Sequence, residues 1–171
     1  IQDLEIKIFA DGADLESINK LNSLNYVKGF TTNPTLMRKS GINDYAKFAK
    51  DVLKIVKNKP ISFEVFSDDL KEMEKQAMEI VSWGTNANVK IPISNSKGES
   101  SVDLIGRLSK QGVLCNVTAI FTIDQLKSIL NILDDESKTF LSVFAGRIAD
   151  AGIDPIPIMK KSVQSQKLKP K

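Results

Sequence analysis

Histidine is absent from this 171-residue chain, and cysteine occurs once, as Cys115. Without histidine neither a Ser–His–Asp nor a Cys–His arrangement can be assembled. One cysteine and no histidine cannot supply the ligands of a zinc site either, so no metal is expected. A lone cysteine forms no internal disulfide, and the first residues carry no signal-peptide apolar stretch, so the expected setting is reducing and cytoplasmic. No apolar run approaches the roughly 20 residues that span a bilayer, and no membrane association is expected. Charge of one sign is also lacking. Twenty-four Lys and Arg stand against 21 Asp and Glu, a net charge of +3. The lysines are scattered among acids and form no stripe, so nucleic acid is not an expected partner. Proton transfer is left to carboxylates, lysine, tyrosine or water.

The composition is that of an ordinary soluble domain, 42% apolar and 26% charged, and the length suits one domain spanning 1–171. Short apolar runs alternate with amphipathic ones. The runs are Ile6–Ala10, Val27–Thr31, Ile61–Phe66, Ala87–Ile93, Leu114–Phe121 and Phe140–Ala145. Most are rich in Val, Ile and Phe and bounded by turn residues, which predicts strands buried on both faces. Between them Tyr45, Phe48, Val52, Ile55 and Val56 recur at helical spacing, as do Leu70, Met73, Ala77 and Ile80, then Leu126, Ile129, Leu130 and Leu133. Asn33 before Pro34 is a helix start, and Thr122 with Gln125 is a capping box. Gly84 and Gly112 stand where helices should stop.

Six βα units in alternation mean a parallel sheet, either doubly wound or closed as a barrel. Polar residues favour the barrel. Asp11, Asn33, Glu64, Lys90, Asn116 and Thr118 lie within or just after otherwise apolar runs, mostly toward their C-terminal halves. Sites drawn from many strand ends typify (β/α) barrels, whereas a doubly wound sheet gathers its site at one switch point.

Lys90 sits in Asn88-Val89-Lys90-Ile91-Pro92-Ile93. As a pattern it fits an edge-strand lysine that discourages aggregation. It also fits an interior amine, since a lysine placed inside a barrel loses hydration and its neutral form attacks carbonyls. Glu64, in Ser62-Phe63-Glu64-Val65-Phe66, is either half of an ion pair or a general acid–base. Asp11 ends the first run; it or Asp14 could cap the next helix. Asn116 and Thr118 are two apart and share a strand face. Arg147 suits phosphate capture or a surface pair with Asp150 or Asp154. Ser94-Asn95-Ser96-Lys97-Gly98 is only superficially a phosphate loop and lacks Walker spacing.

Taken in order, Phe9-Ala10-Asp11-Gly12-Ala13-Asp14, Lys28-Gly29-Phe30-Thr31-Thr32-Asn33-Pro34-Thr35-Leu36, Ser62-Phe63-Glu64-Val65, Val89-Lys90-Ile91-Pro92, Asn116-Val117-Thr118-Ala119-Ile120-Phe121 and Ser142-Val143-Phe144-Ala145-Gly146-Arg147-Ile148 resemble the transaldolase family. The resemblance implies class I aldol chemistry on sugar phosphates without a cofactor. Lys90 matches the Schiff-base lysine and Asp11 the carboxylate that handles the hydroxyl proton where the carbon bond breaks. Glu64 and Thr118 match a pair that holds a catalytic water. Thr31, Asn33, Asn116, Ser142 and Phe144 match substrate-binding positions, and Arg147 a phosphate contact. Glu64 and Phe144, in place of the Gln and Tyr of fructose 6-phosphate aldolase, favour transfer of a dihydroxyacetone unit over simple cleavage.

The family's barrel has eight strands. Six βα units therefore imply a TIM-type barrel lacking strands seven and eight, as a fragment or truncated product would. The short connections resemble the small-subunit branch, whose homo-oligomers are ring-based decamers. Beside the transferase stand two other readings: an aldolase-like cleavage enzyme, and a non-catalytic sugar-phosphate-binding or assembly protein.

Overall fold

Turn chemistry and apolar runs divide the chain into alternating strands and helices. The computed structural model describes residues 5–134 and 137–167. In chain order the elements are β1 (Ile8–Asp11), α1 (Leu15–Asn22), β2 (Val27–Thr31), α2 (Pro34–Lys39), α3 (Tyr45–Ile55), β3 (Ile61–Glu64), α4 (Leu70–Trp83) and β4 (Ala87–Pro92). They continue as α5 (Val102–Lys110), β5 (Cys115–Ile120), α6 (Ile123–Leu130), β6 (Phe140–Val143), α7 (Ala145–Asp150) and α8 (Ile156–Lys167). The strands follow one another in one sheet in the order β1-β2-β3-β4-β5-β6. The pairs β1–β2, β2–β3 and β5–β6 are parallel. Sequential parallel order is that of a (β/α) TIM-type barrel, six of whose βα units are present; a doubly wound sheet would reverse direction at a switch point.

The start and stop signals act as their chemistry dictates. Asn33 accepts from the Leu36 amide at 2.9 Å with Pro34 at the first helical position. Thr122 and Gln125 form a complete capping box. Asp14, not Asp11, caps α1, accepting from the Ser17 amide at 2.7 Å. Gly112, just past α5, takes φ +79°, which glycine adopts at no steric cost. A side chain at Gly29 would run into the Phe9 ring of the paired strand.

Two compact units make up the chain: Ile1–Phe66 with Lys75–Val89, and Ser67–Glu74 with Lys90–Lys171. In the first, Ala49 and Val52 of α3 are fully buried, as are Ile61 and Phe63 of β3. Asn86 donates to the carbonyls of Val56 and Lys59 at 2.6 and 2.9 Å, closing the turn that leads into β3. In the second, Ile91, Ile105, Leu108, Val117 and Ile129 are fully buried. Burial on both faces holds for most of β3, β4 and β5, but not for β1 and β6, which stand at the two ends of the sheet order.

The strands are shorter than the apolar runs. Ile6 is exposed and precedes β1; Val65 and Phe66 lie past β3. The last run ends its strand at Val143, because Ala145 already begins α7. Leu133 is buried beyond the end of α6. No helix among the described residues is long and apolar enough to cross a membrane.

Candidate functional site

In the first unit, β1 and β2 pair so that Asp11 stands opposite Thr31. The Thr31 hydroxyl donates to Asp11 Oδ1 at 2.9 Å. Asp11 is therefore held by a neighbouring strand and is not spent as a helix cap. Asn33 is spent as one, through its side-chain carbonyl.

Glu64 is the last residue of β3 and is half-buried. Its main-chain carbonyl accepts from the Tyr45 hydroxyl at 3.0 Å. Burial, and after it the Glu64 charge, push the Tyr45 phenol above its ordinary range, so this tyrosine donates and does not ionise. Helical spacing places Tyr45 in the core stripe of α3 and carries no sign of this tie. Tyr45 is also the hub of an aromatic cluster, with Phe66 at 4.6 Å, Trp83 at 5.1 Å and Phe63 at 6.1 Å, all edge-to-face.

Beside that cluster lies a cavity of about 310 Å³. Its charged lining residues are Glu64 and Glu79, and no basic residue lines it. A lining with acidic and no basic side chains offers a phosphate no counter-charge.

In the second unit, Lys90 is 8% exposed. It lies on β4, which stands between β3 and β5 in the sheet order. The edge-strand explanation therefore does not apply to it. Asn116 and Ser142 come together across β5 and β6, with Ser142 Oγ donating to Asn116 Oδ1 at 2.8 Å. Thr118 is 1% exposed, and among the described residues its hydroxyl has no hydrogen-bond partner. Buried hydroxyls are rarely left so.

The residue after Thr118 adds a signal the sequence did not carry. Ala119 takes φ +57°, the only non-glycine positive φ among the described residues. The β5–β6 register shifts between Val117 and Ile120. One extra residue on β5 thus makes a bulge at Thr118–Ala119, a device that re-aims side chains at strand ends near sites.

Phe144 packs edge-to-face on Phe121 at 5.6 Å. Arg147 lies on α7, not on a strand end, and reaches Asp150 at 3.3 Å, with both side chains largely exposed. Of its two sequence readings, the surface pair is the contact present.

The Ser94–Gly98 segment turns its donors inward. Ser96 donates to the Asp68 carboxylate through its amide at 2.7 Å and its hydroxyl at 2.6 Å. Those two bonds hold the Asp68 carboxyl below its ordinary range. Donors committed to a carboxylate do not cradle phosphate, in keeping with the missing Walker spacing. Cys115 is fully buried, and burial pushes its thiol up to about 12. Among the described residues no group of three acidic or cysteine side chains gathers as a metal site would require.

Comparison with known proteins adds the lineage. Residues 8–169 match the family model described as Transaldolase/Fructose-6-phosphate aldolase. The chain is 37% identical over 162 residues to a probable transaldolase of Dehalococcoides mccartyi, covering 95% of this chain and 71% of that protein. A probable transaldolase of Streptococcus agalactiae is 37% identical over 155 residues, with 91% and 67% covered. One from Methanococcus vannielii is 36% identical over 159 residues, with 93% and 69% covered. With the sequential (β/α) order and a family match over nearly its whole length, the chain belongs to the transaldolase/fructose-6-phosphate aldolase family.

Proposed function

We propose that this chain carries out class I aldol chemistry, transferring a dihydroxyacetone unit between sugar phosphates through an imine on Lys90. The observation that carries the reading is a lysine 8% exposed on an interior strand of the sheet, in a chain without histidine. Burying a lysine is costly, and a chemical use is a reason to keep one.

In this scheme the neutral amine of Lys90 adds to the ketose carbonyl and the carbinolamine loses water to leave an iminium. Glu64 and Thr118 hold the water through which those protons pass. Asp11 then takes the proton of the C4 hydroxyl as the C3–C4 bond breaks. The bonding pair enters the iminium, giving an enamine, and an aldose phosphate departs. An acceptor aldehyde reverses the steps, and water releases the product. The unsatisfied Thr118 hydroxyl, aimed by its bulge, suits the water-holding part. Asn116, tied to Ser142, together with Thr31, Asn33 and Phe144, lines the sugar in this reading. Arg147 would exchange its surface partner Asp150 for phosphate.

Glu64 and Phe144 favour transfer over cleavage to free dihydroxyacetone. The setting that goes with the reading is cytoplasmic sugar-phosphate metabolism, the pentose phosphate pathway, in a homo-oligomer that needs no cofactor.

The test is reductive trapping. Incubation with fructose 6-phosphate and borohydride, followed by peptide mass spectrometry, should place a stable adduct on Lys90. A folded chain that forms no adduct there would overturn the proposal.

A further inference from the structure

Phe144 is held by a residue that the proposed chemistry does not use. Its ring packs edge-to-face on Phe121, with centroids 5.6 Å apart and planes at 71°. The Phe144 amide donates to the Ile120 carbonyl at 2.9 Å, so a backbone bond between the two strand ends lies next to the ring contact. Phe121 is fixed in its turn. Its amide and that of Thr122 both donate to Gln125 Oε1, at 2.9 and 3.1 Å, beside the capping box of α6. A phenyl ring turns about two side-chain torsions, and a neighbour set edge-to-face narrows both. Phe144 is only half-buried, and among the described residues Phe121 is the ring that meets it.

That placement bears on water. Both rings follow the C-terminal ends of β5 and β6, the strands that carry Asn116, Thr118 and Ser142. In the proposed scheme the enamine on Lys90 has two fates. It attacks an acceptor aldehyde, or the same carbon takes a proton from water and an iminium forms again. Water then adds at C2 of that iminium and the C–N bond breaks, its pair going to nitrogen. The C2 hydroxyl gives up its proton to become the carbonyl, and free dihydroxyacetone leaves the Lys90 amine. Apolar rings offer water no hydrogen-bond partner, and keeping stray water out preserves a reactive intermediate for the intended reactant.

We infer that Phe121 is a positioning residue for the proposed reaction: its ring sets that of Phe144 beside the enamine, and the pair keeps bulk water from protonating it. The inference rests on the aldol reading and adds to it a residue that decides between transfer and release. A Phe121 that served packing alone would lower stability when cut back and leave that division of products untouched.

The experiment gives the 171-residue chain fructose 6-phosphate as donor and erythrose 4-phosphate as acceptor. Chromatography reads the ratio of free dihydroxyacetone to the ketose phosphate formed by transfer, and circular dichroism checks folding. Phe121 is 42% exposed, so cutting it back spares the core. Phe121→Leu should raise the ratio about two- to tenfold, the span that loss of one edge-to-face contact allows. Phe121→Tyr, which keeps the ring, should hold the parent's ratio. Gln125→Ala, which frees the Phe121 amide, should raise it as Phe121→Leu does, and it carries the test if Phe121→Leu does not fold. In a Phe144→Leu chain, Phe121→Leu should add nothing, because it acts through that ring. A ratio unmoved by Phe121→Leu or by Gln125→Ala, a rise with Phe121→Tyr, or a full further rise in the Phe144→Leu chain would overturn the inference alone. A parent chain that forms no adduct on Lys90 would overturn the aldol reading, and this inference with it.

Discussion

Asp11 and Thr31 are register partners on β1 and β2, and the Thr31 hydroxyl donates to the Asp11 carboxylate at 2.9 Å. A carboxylate that accepts a fixed donor keeps one rotamer, which is what proton transfer at a set atom requires. The bond is exposed, so it contributes little to stability, about 1 kcal/mol or less. Thr31→Ser should keep the rate of carbon–carbon cleavage near that of the parent. Thr31→Val should lower kcat more than it moves the urea midpoint. A Thr31→Val protein with unchanged kcat would reduce this bond to packing.

Much of this pairing was visible in the residues and much was not. Six apolar runs were legible because β3, β4 and β5 are mostly buried on both faces and must be apolar throughout. Their ends were not legible. Val65 and Phe66 extend the β3 run though they lie past the strand, and Phe144-Ala145 looks like strand while α7 is already starting. A short apolar run carries no period that separates the two. Asp11, Glu64, Lys90 and Thr118 stood out because polar residues break apolar strands. The Ala119 bulge did not, since it is set by pairing with β6 and not by any local signal. Tyr45 was hidden for the same reason: its partner carbonyl is 19 residues away.

Cys115 lies on β5, fully buried, with its thiol pushed up to about 12 by desolvation. Only the thiolate reacts at a useful rate. Iodoacetamide at pH 8 should leave the native chain unmodified and alkylate it promptly in denaturing urea. Quick alkylation of the native protein would mean that β5 opens, or that the site is less enclosed than its burial indicates.

Asp68 is held below its ordinary range of about 3.8 by the Ser96 hydroxyl and amide, the hydroxyl first. A folded-state value below the unfolded one stabilises the folded loop at pH above 3.8. That contribution is lost as pH falls through the lower, folded value. Carboxyl NMR titration should find Asp68 below 3.8, and Ser96→Ala should move it back up. The Ser96 amide should exchange faster in acid, in step with Asp68 protonation. A Ser96→Ala chain with an unmoved Asp68 midpoint would assign the shift to something other than this clamp.

Ala119 carries a left-handed backbone at φ +57°. For a residue with a Cβ that conformation costs roughly 1–2 kcal/mol, and glycine is free of it. Glycine adds back about 0.4–1 kcal/mol of unfolded-state entropy. Ala119→Gly should therefore leave the urea midpoint unchanged or raise it by up to about 1.6 kcal/mol in stability. Ala119→Val, with a branched Cβ at positive φ, should lower it by more than about 1 kcal/mol. Equal midpoints for the two would show that the bulge relaxes, and the argument that it aims Thr118 would go with it.

Lys90 is where chemistry and stability have to be told apart. It is 8% exposed on an interior strand, so Lys90→Ala would leave a hole and confuse the two effects. Lys90→Met keeps the length of the stem and removes only the amine. Replacing a whole buried ion pair by apolar groups is often neutral or stabilising, whereas removing one partner alone costs about 3–5 kcal/mol. Lys90→Met should therefore fold with a lowered urea midpoint, and it should form no borohydride-trapped adduct with fructose 6-phosphate. If Lys90→Met unfolds, the amine is part of the core's own structure. If it still traps substrate, the nucleophile is another lysine.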